Sequence, residues 1–131
     1  MIPYAEEVKH LQVILNQNIT LRLYSNNVVP AKTDTAATYT EVTGGGYAAI
    51  VLTLADWTIT AGSGSTPTKA QAAYRDIIFT GAIGAPGNIY GYFMTDAAGD
   101  LFGAERFGST VVPFVPKLNS RIRITPKYIK G

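Results

Sequence analysis

The stretch from Asn88 to Phe107 constrains the fold of this chain more than any other. Two runs, Asn88-Ile89-Tyr90-Gly91-Tyr92-Phe93-Met94-Thr95 and Leu101-Phe102-Gly103-Ala104-Glu105-Arg106-Phe107, flank the segment Asp96-Ala97-Ala98-Gly99-Asp100. Aromatic and branched side chains fit a pleated, half-buried surface, and Asp and Gly favour a short connection, so this stretch reads as an antiparallel hairpin.

Similar runs recur along the chain. Ile19 to Tyr24 alternates with period two, which places Ile19, Leu21 and Leu23 inward and Thr20, Arg22 and Tyr24 outward. Ser25-Asn26-Asn27 ends that run with residues that tolerate turns. A polar, Thr-rich loop follows Pro30, and Thr38 to Glu41 is a weaker strand candidate before the corner Gly44-Gly45-Gly46. Tyr47 to Leu54, Trp57 to Thr60, Tyr74 to Thr80 and Arg121 to Thr125 are further strands; in the third, Ile77 and Phe79 face one way and Ile78 the other. Pro126 ends the last strand or moves it to a sheet edge. Ala61-Gly62-Ser63-Gly64-Ser65-Thr66-Pro67 reads as a flexible surface loop.

Tyr4 to Gln17 breaks this pattern. Pro3 suits the start of a helix, Glu6 and Glu7 suit its positive end, and Tyr4, Val8, Leu11, Ile14 and Leu15 share one face, with Val13 nearly opposite. The expectation is an all-β fold, an antiparallel β-sandwich or jelly-roll-like barrel of about seven or eight short strands, preceded by a short N-terminal α-helix. The helix takes residues 1–17 and the β domain residues 18–131, as one domain overall.

Composition narrows the chemistry. The chain has no cysteine, which excludes disulfides and thiolate metal sites. Charged residues make up 15% of its 131 residues, against about 25% in soluble domains. So low a charge means either an uncharged polar surface or one covered by partners. The N-terminal residues lack the basic and apolar regions of a signal peptide, and no run approaches the length of a membrane span, so the expected product is made in a cytoplasm without membrane insertion.

Catalysis has little to build on. The one histidine, His10, stands four residues after Glu6 on the expected helix, where an exposed pair explains it. The spacing of Asp34, Glu41, Asp56, Asp76, Asp96, Asp100 and Glu105 selects no pair of carboxylates for glycoside hydrolysis, and Asp96 with Asp100 fits a turn better than a calcium loop. The glycines of 44–46 and 81–87 precede no Lys-Ser or Lys-Thr, so they read as turns rather than phosphate cradles. The reading is of a protein that is not an enzyme and takes no cofactor or metal.

Contact remains. From Lys117 onward come Lys117, Arg121, Arg123, Lys127 and Lys130 with no acidic residue among them. Arg121 and Arg123 share a strand face opposite Ile122 and Ile124, and Lys127, Tyr128 and Lys130 extend a basic, partly aromatic edge. With Val13, off the helix stripe, these form the expected interface. Trp57 is assigned to the core, while Tyr90 and Tyr92 are expected to share an exposed aromatic face. Nucleic-acid binding is unfavoured, because net charge is only +2 and no recognition motif accompanies the basic edge.

The strings Leu21 to Pro30, Gly45 to Ile50, Leu54 to Thr60, Ile89 to Phe93 and Ala104 to Phe107, taken in order after a helical start, resemble a group of small all-β bacteriophage virion proteins. Gly103 departs from that pattern, which has a bulky aromatic there. The resemblance implies a structural role on the virion: a capsid decoration or cement protein bound to the major capsid protein at the capsid surface, as a homo-oligomer such as a trimer. Head or tail fibre relatives imply the alternative, a fibre or receptor-binding domain that contacts a cell-surface glycan through Tyr90 and Tyr92 or the Gly-Ser loop.

Overall fold

A computed structural model of the chain describes residues 1–129. Helix α1 spans Tyr4–Leu15, with Pro3 at its start and Glu6 and Glu7 in its first turn. Its apolar stripe works as the spacing predicts at Leu11 and Leu15, both fully buried, whereas Val13 is 76% exposed. The helix packs against β3 (Trp57–Thr60). Two hydrogen bonds fix its N-terminal end: Tyr4 Oη donates to the Gly64 carbonyl at 2.7 Å, and Thr68 Oγ1 donates to Glu7 Oε1 at 2.9 Å. The Gly-Ser segment is therefore a tight turn under the helix, closed by mutual backbone bonds between Ser63 and Thr66.

The remaining strands are β1 (Ile19–Tyr24), β2 (Ile50–Leu52), β4 (Lys69–Ala72), β5 (Arg75–Ile78), β6 (Gly91–Thr95), β7 (Leu101–Arg106), β8 (Arg121–Ile124) and β9 (Lys127–Ile129). They form three antiparallel sheets in the orders β2-β1-β6-β7, β3-β4-β9 and β5-β8, none closed into a barrel. The fold is thus mostly β with one short N-terminal helix. The β6–β7 hairpin forms as read: Asp96 Oδ1 accepts from the backbone N–H groups of Ala98 and Asp100, both at 3.0 Å, and so shapes the turn. A bulge between Met94 and Thr95 pairs Thr95 with Leu101 and Met94 with Gly103, leaving Phe102 as the extra residue. It stacks on Tyr128 with centroids 4.5 Å apart, a re-aiming typical of bulges.

The main core draws on the helix (Leu11, Leu15), the four-stranded sheet (Leu21, Leu23, Leu52, Tyr92, Met94), the three-stranded sheet (Trp57, Ala70, Ala72) and the two-stranded sheet (Ile77, Ile122, Ile124). A second cluster of Tyr24, Tyr39 and Phe93 covers the other face of β1 and β6. Tyr24 is therefore fully buried, contrary to the alternation reading. The segment after Asn26 folds back and brings Tyr39 against it, ring centroids 5.0 Å apart, so this end of β1 has two covered faces.

Two strand assignments change. Thr38 to Glu41 makes only a short 3-10 turn and a single bridge from Glu41 to Tyr24. The strand expected over Tyr47 to Leu54 contracts to Ile50–Leu52, because Tyr47 turns inward: its hydroxyl accepts from Leu23 N–H at 3.1 Å and donates to Glu41 Oε2 at 2.7 Å. The strand over Arg121 to Ile124 ends before Pro126 as read, and past the proline the chain changes sheets, leaving β5 to pair a further strand, β9, with β4.

Truncating a side chain that joins the helix to this core should be costly. Leu15→Ala is expected to lose about 2–5 kcal/mol in urea unfolding, while Val13→Ser, on the open side of the same helix, stays within about 0.5 kcal/mol of the parent.

Candidate functional site

The two-stranded sheet carries the clearest candidate surface. Its register sets Asp76 against Arg123, Ile77 against Ile122 and Ile78 against Arg121. Side chains alternate across a strand, so burying Ile77 and Ile122 turns Asp76, Ile78, Arg121 and Arg123 outward. Ile78 is 57% exposed, and Tyr74, just before β5, is 55% exposed.

The two arginines are in different states. Arg123 grips Asp76 with both arms of its fork, Nε to Oδ1 at 2.9 Å and Nη2 to Oδ2 at 3.1 Å, and its guanidinium carbon sits 3.9 Å above the Tyr74 ring. This bidentate geometry holds the Asp76 carboxyl below its ordinary range and raises Arg123. Arg121 approaches Asp76 Oδ2 only at 3.9 Å and donates no hydrogen bond among the described residues. Both arginines border a cleft of about 300 Å³ with apolar walls from Phe107, Val111 and Phe114.

The basic edge read from the sequence is not one surface. Lys127 and Tyr128 lie in the other sheet, opposite Gln71 and Ala70. Lys127 is exposed and Tyr128 is half-buried against Phe102. Lys130 falls outside the described residues. Pro126 stands at the crossing between the two groups, which explains why a run of basic residues continuous in sequence separates in space.

The expected aromatic face of Tyr90 and Tyr92 is overturned. Tyr92 is 3% exposed, and its hydroxyl donates to Glu105 Oε2 at 3.2 Å. Burial, then the Glu105 carboxylate, raises its pKa. Tyr90 precedes β6 and packs with the second cluster instead, half-buried, with the Arg106 guanidinium 5.1 Å from its ring centroid. The two rings therefore serve different cores. Trp57 is in the main core as read, at 7% exposure, and its Nε1 is the buried side-chain polar atom that lacks a hydrogen-bond partner among the described residues.

Val13 occupies a second surface, a groove of about 700 Å³ between α1 and β3, bordered also by Val8, Leu54, Trp57 and Ile59. His10 is exposed on the same helix. The Glu6 carboxylate turns to Lys9 at 3.1 Å, three residues away, rather than to His10. Among the described residues no group of three or more His, Cys, Asp or Glu converges as metal ligands, and no helix is long and apolar enough to cross a membrane.

Sequence reasoning missed Tyr74, Asp76, Val111 and Phe114 as parts of one surface. The alternation that placed Ile77 inward also implied an outward Asp76, but its pairing with Arg123 requires the strand register. Compared with family models, with curated proteins and with solved structures, the chain matches none.

Two outcomes follow from this geometry. Tyr92→Phe removes one buried hydroxyl and should cost about 1–2 kcal/mol in urea unfolding. The Asp76–Arg123 pair stabilises the protein above the ordinary aspartate value of 3.8 and loses that contribution as pH falls through the lower folded value. A carboxyl NMR titration should place the Asp76 midpoint below 3.8, and Arg123→Gln should move it up.

Proposed function

We propose that this chain is a structural virion protein of a bacteriophage, a decoration or cement protein that binds the major capsid protein on the outside of the head shell as a homo-oligomer such as a trimer. In this reading its chemistry is contact, not catalysis, and its sheets form a sandwich-like body around the shared core. The observation that carries it is the pair of separate surfaces just described. The Val13 groove and the β5–β8 face with its cleft share no bordering residue. A cement protein must touch at least two neighbours, and two independent surfaces meet that need.

Composition supports the assignment of these surfaces. Interface cores enrich aromatic side chains and arginine, while lysine and acidic residues are depleted there. Tyr74 under the Arg123 guanidinium fits that description, and the one acidic residue of this face, Asp76, is paired to Arg123. Stabilisation of the shell follows from mass action, because a protein that binds only the assembled lattice disfavours its disassembly. Of the two contacts the glycan-binding alternative offered, the aromatic platform is lost because Tyr92 is buried, and the exposed Gly-Ser turn remains.

Counting copies of the chain per purified particle tests the reading. Particles should carry the parent protein, and Arg121→Glu combined with Arg123→Glu should lower its occupancy about tenfold through repulsion and lost pairing. Particles that lack the parent protein, or unchanged occupancy of the double variant, would contradict it.

A further inference from the structure

A second cleft, of about 530 Å³, opens between the segment from Pro30 to Asp34, the edge strand β7 and Tyr128 of β9. Its volume lies within the range of small-molecule sites, which combine aromatic walls with a few placed polar groups. The bulge in β7 supplies the wall. It frees Phe102 from the ladder and lets it stack on Tyr128 at 4.5 Å, both rings half-buried.

The polar groups come from the loop. Asp34 Oδ2 accepts from the Ala31 N–H at 2.8 Å and from the hydroxyl of the buried Tyr39 at 2.7 Å. These two bonds hold the carboxylate in place, while its Oδ1 accepts no hydrogen bond among the described residues. Lys32, exposed on the same rim, has no ion-pair partner among them either.

One positive and one negative side chain border the cleft, so its charge favours an ion of neither sign. A neutral ligand that both donates and accepts hydrogen bonds fits these two groups, and one that also carries an apolar face fits the rings. A sugar ring has both. We infer that this cleft binds a neutral saccharide, its C–H face on the Phe102 and Tyr128 rings and its hydroxyls donating to Asp34 Oδ1 and accepting from Lys32. This binding activity goes beyond the structural role proposed above and stands without it. An edge strand also invites an added peptide strand, but the bulge breaks the even spacing of free backbone groups along β7, and bulged edges resist strand addition. A divalent cation would find a single carboxylate.

The test titrates the intact chain, labelled with nitrogen-15, with millimolar methyl glycosides of glucose, galactose, mannose and N-acetylglucosamine, and with glucuronate and a short valine-threonine repeat peptide as rivals. At least one glycoside should shift the amides of Lys32, Gly103, Ala104 and Tyr128 saturably. Tyr128→Ala should weaken that binding about fivefold, the size of one lost aromatic contact. Asp34→Asn should weaken it about tenfold, because the Ala31 N–H still takes the amide oxygen and so turns the NH₂ group toward the ligand. That variant keeps the remaining amide shifts in place, so it decides the matter if Tyr128→Ala fails to fold. No saturable shift with any glycoside, tighter binding of glucuronate or of the peptide than of every glycoside, or undiminished binding by Asp34→Asn would each overturn the inference.

Discussion

Strand β6 is buried at every one of its five residues, and the rest of the structure is arranged to cover its two faces. Tyr92 and Met94 enter the main core, while Phe93 enters the cluster with Tyr24 and Tyr39, stacked on Tyr39 at 5.2 Å. At the end of the strand Gly91 pairs with Tyr24, whose ring occupies the space a side chain would need. A Cβ there would lie 2.6 Å from the Tyr24 ring and run into the Glu105 carbonyl. A strand buried on both faces needs cover from elements distant in sequence, and α1, β3 to β5, β8 and the segment through Tyr39 provide it.

This arrangement fixes where contact with other molecules is possible. The β5–β8 pair gives Ile77, Ile122 and Ile124 to the shared core and keeps Asp76, Ile78, Arg121 and Arg123 outside. The helix likewise gives Leu11 and Leu15 and leaves Val13 exposed. In both elements the inward residues set the position and the outward residues are left available, so the two candidate surfaces are consequences of the core rather than additions to it.

Local patterns made some of this readable. The hairpin turn was legible because Asp96 and Gly99 carry out local chemistry, and the alternation in Arg121 to Ile124 and in Ile77 to Phe79 was legible because one face of each is buried. Strand β4 was not, since Lys69-Ala70-Gln71-Ala72 buries only two alanines and carries no branched or aromatic signal. Tyr24 and Tyr92 were misplaced because alternation says which residues share a face but not whether a distant segment covers it, and Tyr90 because it lies before β6 and does not share the face of Tyr92. The basic edge failed at Pro126, where a change of sheet has no local mark beyond the proline itself. The cleft needed the register of β5 against β8 and the approach of the Phe107 to Phe114 segment, neither of which is a property of any one window of sequence.

Native-state hydrogen exchange of the free protein tests the central claim, that β6 anchors a core around which the contact surfaces are peripheral. Amides of Leu21, Leu23, Tyr92 and Met94 should exchange only through global unfolding, with denaturant dependence equal to that of the whole molecule, whereas amides of Asp76, Ile78, Arg121 and Arg123 should exchange through smaller openings. If the β5–β8 amides proved as protected as those of β6, or if β6 exchanged through local fluctuations, the account would be contradicted.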